Sequence, residues 1–242
     1  MTDTGPAAWT PFTVSAPAGA ALPDDVVTYG PEIPSEAVLR LLGDLSGKRV
    51  LDLGCGAGRN AVALARSGAR VIAVDADGEQ VAAARRSADD ADVRVELHHS
   101  SLAELAFLRA DTVDAVLSVH SLARVADVGR VFRQVHRVLR TEHSFVLALP
   151  HPAFALVDPG SADPLRIRRS AFEEQPFAHD DPRDGTFVRS TSTLFTELTR
   201  AGFRVDHLLE PAPSGPVHGA HWSPAMANVP ATLVLRARKE GN

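Results

Sequence analysis

Cysteine is all but absent: among 242 residues only Cys55 carries a thiol. An intrachain disulfide is thereby excluded, and so is a metal site built from several cysteines. A reducing, cytoplasmic setting is the expectation. Aromatic residues are sparse at 5%, and Tyr29 is the sole tyrosine. No apolar run approaches the roughly 18 residues a membrane helix needs, so no membrane association is expected. The opening Met-Thr-Asp-Thr-Gly-Pro lacks a basic start and an apolar stretch, and does not read as a signal peptide. Net basic charge is lacking too, with a balance of −5 and a pI of 6.0. No nucleic-acid partner is expected, since such proteins show a basic patch or stripe. Arg166, Arg168 and Arg169 stand close together, but read as a solvated face.

Apolar residues at 45% and charged residues at 23% suit one sizeable domain with a real core. Residues 1–34 hold Pro6, Pro11, Pro17, Pro23, Pro31 and Pro34 and read as an irregular arm. Ser35 then looks like a helix cap, followed by the stripe Val38, Leu39, Leu41 and Leu42, with Gly47 closing the segment. Strand and helix patterns alternate after that. Strands are expected at 49–53, 71–74, 93–97, 113–119 and 145–149. Helices are expected at 59–67, 78–87, 102–108 and 125–139. This alternation predicts an α/β fold, a doubly wound and mostly parallel seven-stranded sheet with helices on both faces.

The rhythm breaks at Pro150. Residues 150–190 contain six prolines and weak periodicity, as a lid or a disordered stretch does. A helix over 191–201 and strands over 203–209 and 231–237 complete the chain. The whole, 1–242, reads as a single domain: arm 1–34, core 35–149, insertion 150–190, and a C-terminal helix with strands over 191–242.

The most informative stretch is Leu51-Asp52-Leu53-Gly54-Cys55-Gly56-Ala57-Gly58. A strand, a glycine turn and a helix together cradle nucleotides, because glycine tolerates positive φ and close approach, and the helix start offers free N–H groups. A dinucleotide fingerprint wants G-x-G-x-x-G. Here that third position is Arg59, and the glycines fall at 54, 56 and 58. Asp75, ending the next strand, is placed to accept hydrogen bonds from both hydroxyls of a ribose.

This spacing, with Asp52 two residues before the first glycine, resembles motif I of the class I S-adenosylmethionine-dependent methyltransferases. The likeness covers about residues 36–150 and 191–238, including Asp114–Ser118, Arg137–Arg140 and Leu198–Phe203. It implies S-adenosylmethionine as cofactor and methyl transfer to a small-molecule acceptor, with 35–149 as the cofactor-binding core. Gly54, Cys55, Gly56 and Gly58 would line the ligand's methionine part, with Cys55 a small packing residue. Asp52 would face its amino group, and Asp75 and Ala76 its ribose. Ser100, Ser101 and Leu102 would flank the adenine. Ser118 and Val119 would line the cavity near the reacting methyl. Tyr29 reads equally as a ligand contact and as a packing anchor; Trp9 and Phe12 read as anchors.

Two departures from the family stand out. Ser101 occupies a place often held by Asp, and Thr141–Ser144 replaces a Pro-Gly-Gly turn. They keep open a catalytically degenerate relative that binds cofactor or partner only. An NAD-dependent oxidoreductase is the further alternative, disfavoured by the glycine spacing. Methyl transfer needs a base only when the acceptor must lose a proton. His120 and His151, each following a strand at the carboxyl edge, are the candidates. His218 and His221 are weaker ones, and His98 and His99 end a strand without a catalytic role. No histidine spacing suggests a metal.

Overall fold

The computed structural model describes residues 22–158, 162–172, 186–214 and 219–241. Seven strands form one sheet: β1 (Arg49–Leu53), β2 (Arg70–Asp75), β3 (Val95–His99), β4 (Val113–Val119), β5 (Leu139–Pro150), β6 (Phe203–Leu209) and β7 (Thr232–Lys239). Their order is β3-β2-β1-β4-β5-β7-β6. β7 runs antiparallel to both its neighbours, and the pairs among β1–β5 are parallel. The chain reverses direction across the sheet between β1 and β4. That places a crevice at the carboxyl ends of these two strands, where α/β sheets bind ligands.

Five helices flank the sheet: α1 (Glu36–Leu39), α2 (Arg59–Arg66), α3 (Gly78–Asp90), α4 (Val128–Val138) and α5 (Thr191–Arg200). Helices α2 and α3 and the arm cover one face, packing Leu64, Ala84, Tyr29 and Leu42 onto Val71 and Val146. The other face carries α4 and α5. α4 buries Val128, Val131, Phe132, Val135 and Val138, and full burial of one such side chain contributes about 1.5–3 kcal/mol.

Three expectations from sequence are corrected. The segment 102–108 is a run of turns rather than a helix. Leu102, Leu105 and Leu108 are buried, but the Leu105 and Leu108 carbonyls accept from the Arg137 guanidinium at 2.7 and 2.8 Å, so they are not left to a helix ladder. The helix after Ser35 stops at Leu39. The Glu36 carboxylate takes the Leu41 and Leu42 N–H groups at 2.8 Å each, and Arg40 turns left-handed at φ 50°. The third strand lies two residues later than expected, because the end of α3 closes through Val93 N–H to the Ala88 carbonyl.

Helix α4 begins at Val128, capped by Asp127, whose side chain accepts from the Arg130 N–H. It passes directly into β5. Where a Pro-Gly-Gly turn was missing, a register shift between β4 and β5 and a left-handed Glu142 (φ 64°) supply the bend.

A register shift also separates Val205 from His207 in β6. There Asp206 receives Arg236 Nε and Arg238 Nε at 2.8 and 2.7 Å. Burial pushes the Asp206 pKa up, but hydrogen bonds from Arg236, Arg238 and His207 reverse that and hold it well below the usual carboxylate range. The contribution to stability is therefore full above about pH 4 and lost as pH falls. Asp206→Asn should lower unfolding free energy by about 1.5–3 kcal/mol near pH 7. In urea titrations the gap to wild type should narrow steadily below about pH 4.

Candidate active site

The glycine loop hangs on the end of β2. Gly54 and Cys55 N–H groups both donate to the Val74 carbonyl, at 2.7 and 3.0 Å. Gly56 N–H donates to Asp75 Oδ2 at 2.8 Å, and Asp77 N–H to Asp75 Oδ1 at 3.0 Å. Each Asp75 oxygen keeps a further lone pair for a ligand. Two glycines are dictated by neighbours as well as by φ. A Cβ on Gly54 (φ +80°) would sit 2.1 Å from Ser121 Cβ, and one on Gly58 (φ +84°) 2.9 Å from Ala84 Cα. Gly58 thus lets α2 start against α3. Cys55 is buried, and burial followed by the charges of Asp52 and Asp75 raises its pKa, so it stays a neutral thiol.

Ser118 and Ser121 both donate to the Leu53 carbonyl at 2.8 Å, and their hydroxyls lie 2.8 Å apart. This clamp joins the carboxyl ends of β1 and β4. Val119 is buried beside it. His120 follows in a left-handed conformation (φ 59°) and is buried. Burial pushes its pKa down to about 4, against the pull of a hydrogen bond with the Tyr29 backbone.

Asp52 is 2% exposed, and its Oδ2 has no hydrogen-bond partner among the described residues. Burial, and then the Asp75 charge, push its pKa up to about 7. A buried carboxylate left so is costly unless a donor arrives.

At the end of β3, Ser100 N–H donates to the Asp75 carbonyl at 3.0 Å, while its hydroxyl turns to the Glu104 carbonyl at 3.1 Å. Ser101 is exposed and its hydroxyl accepts from Ala103 N–H at 3.3 Å. Leu102 is buried, 3.3 Å from where a Gly54 Cβ would stand. The exposed His99 reaches the Ala76 carbonyl at 3.1 Å.

The arm crosses this edge. Asn60 holds Thr28 at two points, accepting its N–H at 2.9 Å and donating to its carbonyl at 3.0 Å. Tyr29 is wholly buried and donates to Glu36 Oε2 at 2.5 Å. Gly30 lies against β7 and β4: a Cβ there would fall 2.7 Å from Thr232 Oγ1 and 3.0 Å from His120 Nε2. Trp9, Phe12 and His218 lie outside the described residues, and His221 is buried in the loop before β7.

His151 is buried at the end of β5 and set apart from the glycine loop by its partners. Its Nδ1 accepts from Ala153 N–H at 3.1 Å, so the proton sits on Nε2, which donates to Glu210 Oε1 at 2.9 Å. Both ring nitrogens are occupied, and the ring acts as a strut to the segment after β6. The end of the insertion is pinned as well. The Arg189 guanidinium donates to the carbonyls of Leu122, Val125 and Ala126, and Phe187 N–H to Ala123 at 2.6 Å.

Ser121, Asn60, Thr232 and Arg189 were not singled out from the sequence. Only Ser121 had a local signal, the Ser-x-x-Ser spacing with Ser118 at the end of a strand.

A family model described as "Methyltransferase domain" matches residues 50–142. A solved S-adenosylmethionine dependent methyltransferase from Mesorhizobium loti superposes with a TM-score of 0.68 at 27% identity, covering 84% of this chain and 95% of that one. The chain has the fold of the class I S-adenosylmethionine-dependent methyltransferases, and its residues 50–142 match a methyltransferase domain. A putative methyltransferase of this type from Listeria monocytogenes shares the fold, with a TM-score of 0.70 at 23% identity over 84% of this chain and 94% of that one. A ubiquinone biosynthesis O-methyltransferase from Azorhizobium caulinodans is 34% identical over 129 residues, 48% of this chain and 51% of that protein. The chain thus spans about half the length of that relative. The family match covers the glycine loop and the clamp, and the arm, the insertion and β7 fall outside it.

Two expected outcomes test the site's electrostatics. With a folded pKa near 7 against about 3.9 unfolded, the Asp52 contribution is full below about pH 4 and lost as pH rises through 7. Asp52→Asn should therefore melt higher than wild type above neutrality, with the two curves converging in acid. His120, neutral down to about pH 4, should show ring proton shifts that stay flat between about pH 5.5 and 8 by NMR, unlike a free histidine near 6.5.

Proposed function

We propose that this chain is an S-adenosylmethionine-dependent methyltransferase acting on a small-molecule acceptor. The observation that carries the reading is Asp52, a buried carboxylate with a lone oxygen beneath a glycine loop. A cationic ammonium is the partner that would relieve it. The other donors and acceptors suit the same ligand. Asp75, braced by Gly56 and Asp77 N–H groups, presents carboxylate lone pairs to ribose hydroxyls. Ala76, Ser100, Ser101 and Leu102 offer a wall for the adenine. When bound, the cofactor supplies a sulfonium methyl to a nucleophile held in line.

The chain's own contribution is binding, orientation and exclusion of water. Orientation alone reaches effective molarities of about 10⁵–10⁸ M. His120 and the Gly30 segment of the arm stand on the β4 side of the crevice, where the acceptor would lie. With a pKa pushed down to about 4, His120 is a weak base suited to hydrogen bonding an acceptor. His151 would become a base only by releasing Ala153 N–H from Nδ1. We therefore assign both histidines to positioning, and read the acceptor as one that ionises readily or already presents a lone pair. The O-methyltransferase relatives support a hydroxyl-bearing small molecule.

Calorimetric titration with S-adenosylmethionine tests the reading. Wild type should bind one equivalent. Asp75→Asn should weaken binding about tenfold or more, since one hydrogen bond to a charge is worth about that factor. The absence of both heat and thermal shift in wild type would sink it, and saturable binding with no methyl transfer across a broad acceptor panel would favour the degenerate relative.

A further inference from the structure

A cleft of about 780 Å³ lies at the opposite edge of the sheet from the glycine loop, beneath the C-terminal half of α3. Its volume falls in the range that holds small molecules. Four arginines line it: Arg49 and Arg70 open β1 and β2, Arg85 projects from α3, and Arg94 precedes β3. Between them Val71, Ile72, Val95 and Leu97 give an apolar floor.

Other arginines of this chain have found partners. Arg236 and Arg238 hold Asp206, Arg140 holds Asp114, and Arg137 takes two carbonyls. None of the four cleft guanidinium groups makes a hydrogen bond or ion pair among the described residues. Two carboxylates, Asp89 and Glu96, also face the cleft, and Glu96 is engaged by His98 at 2.8 Å. Four guanidinium groups against two carboxylates leave an excess of two positive charges. Like charges gathered from separate strands and a helix repel unless a counter-charge joins them, and the planar guanidinium fork matches phosphate in a bidentate way.

We propose that this cleft is a second ligand site, for a small molecule carrying a phosphate dianion on an apolar body. The excess charge matches the dianion, and the valine, isoleucine and leucine floor matches the body. The site is separate from the glycine loop and stands whether or not the chain transfers methyl groups.

The test titrates 1-naphthyl phosphate into the full chain at low salt, with inorganic phosphate and 1-naphthol as parallel arms. Saturable one-to-one binding, tighter than either arm alone, is expected. Arg70→Ala with Arg94→Ala should weaken it about tenfold or more, with the thermal midpoint kept as a check on folding. The corresponding lysine pair should fall between. Bound naphthyl phosphate should also protect Arg70 and Arg94 from phenylglyoxal, read by mass spectrometry. Unchanged affinity in the alanine pair overturns the site, and so does an absence of protection. Equal affinity for inorganic phosphate overturns the apolar body, and preference for an RNA oligonucleotide overturns a small-molecule ligand.

Discussion

The Leu53 carbonyl is the point at which the crevice is tied together. It ends β1 and accepts two hydroxyls, from Ser118 near the end of β4 and from Ser121 in the turn that follows. A single acceptor with two lone pairs is thereby saturated. The glycine at 54 exists because Ser121 lies so close that no Cβ fits between them. The placement of His120, which sits between the two serines in sequence, follows from the same knot, as does the 3-10 turn Ser121–Arg124 that Arg189 grips.

Around that knot the site divides by charge. On the β1 and β2 side two carboxylates flank the glycine loop, Asp52 within β1 and Asp75 at the end of β2. Asp75 is braced by two N–H groups, whereas Asp52 carries an oxygen with no donor among the described residues. On the β4 and β5 side the polar groups are neutral or already engaged: His120 by burial, His151 by Ala153 and Glu210. A cation is drawn to the first side, and a neutral or self-ionising molecule to the second. This asymmetry comes from the fold itself and suits a positively charged donor facing an acceptor.

How much of this was legible in the chain depends on range. The glycine spacing was readable because positive φ leaves a local mark, and Asp75 because it ends a strand at a fixed distance. Strand β1 was readable from a short apolar run, and β4 and β6 fall at the bounds expected for them. The grip of Asn60 on Thr28 spans 32 residues and leaves no pattern. The turns at 102–108 carry leucines at helical spacing, but their carbonyls belong to Arg137, about thirty residues away. The lengths of α1 and β5 were set by a carboxylate and by a register shift, neither of which periodicity reports. Thr232 had no signal, since only the sheet order brings β7 beside β5.

The Arg189 guanidinium spreads its donors over three carbonyls of the segment after β4. Those carbonyls are main-chain groups, present whatever side chains the segment bears. An anchor of this kind fixes the end of the insertion through main-chain acceptors alone. Substitutions within the gripped segment leave those acceptors in place, so the contact tolerates sequence change there.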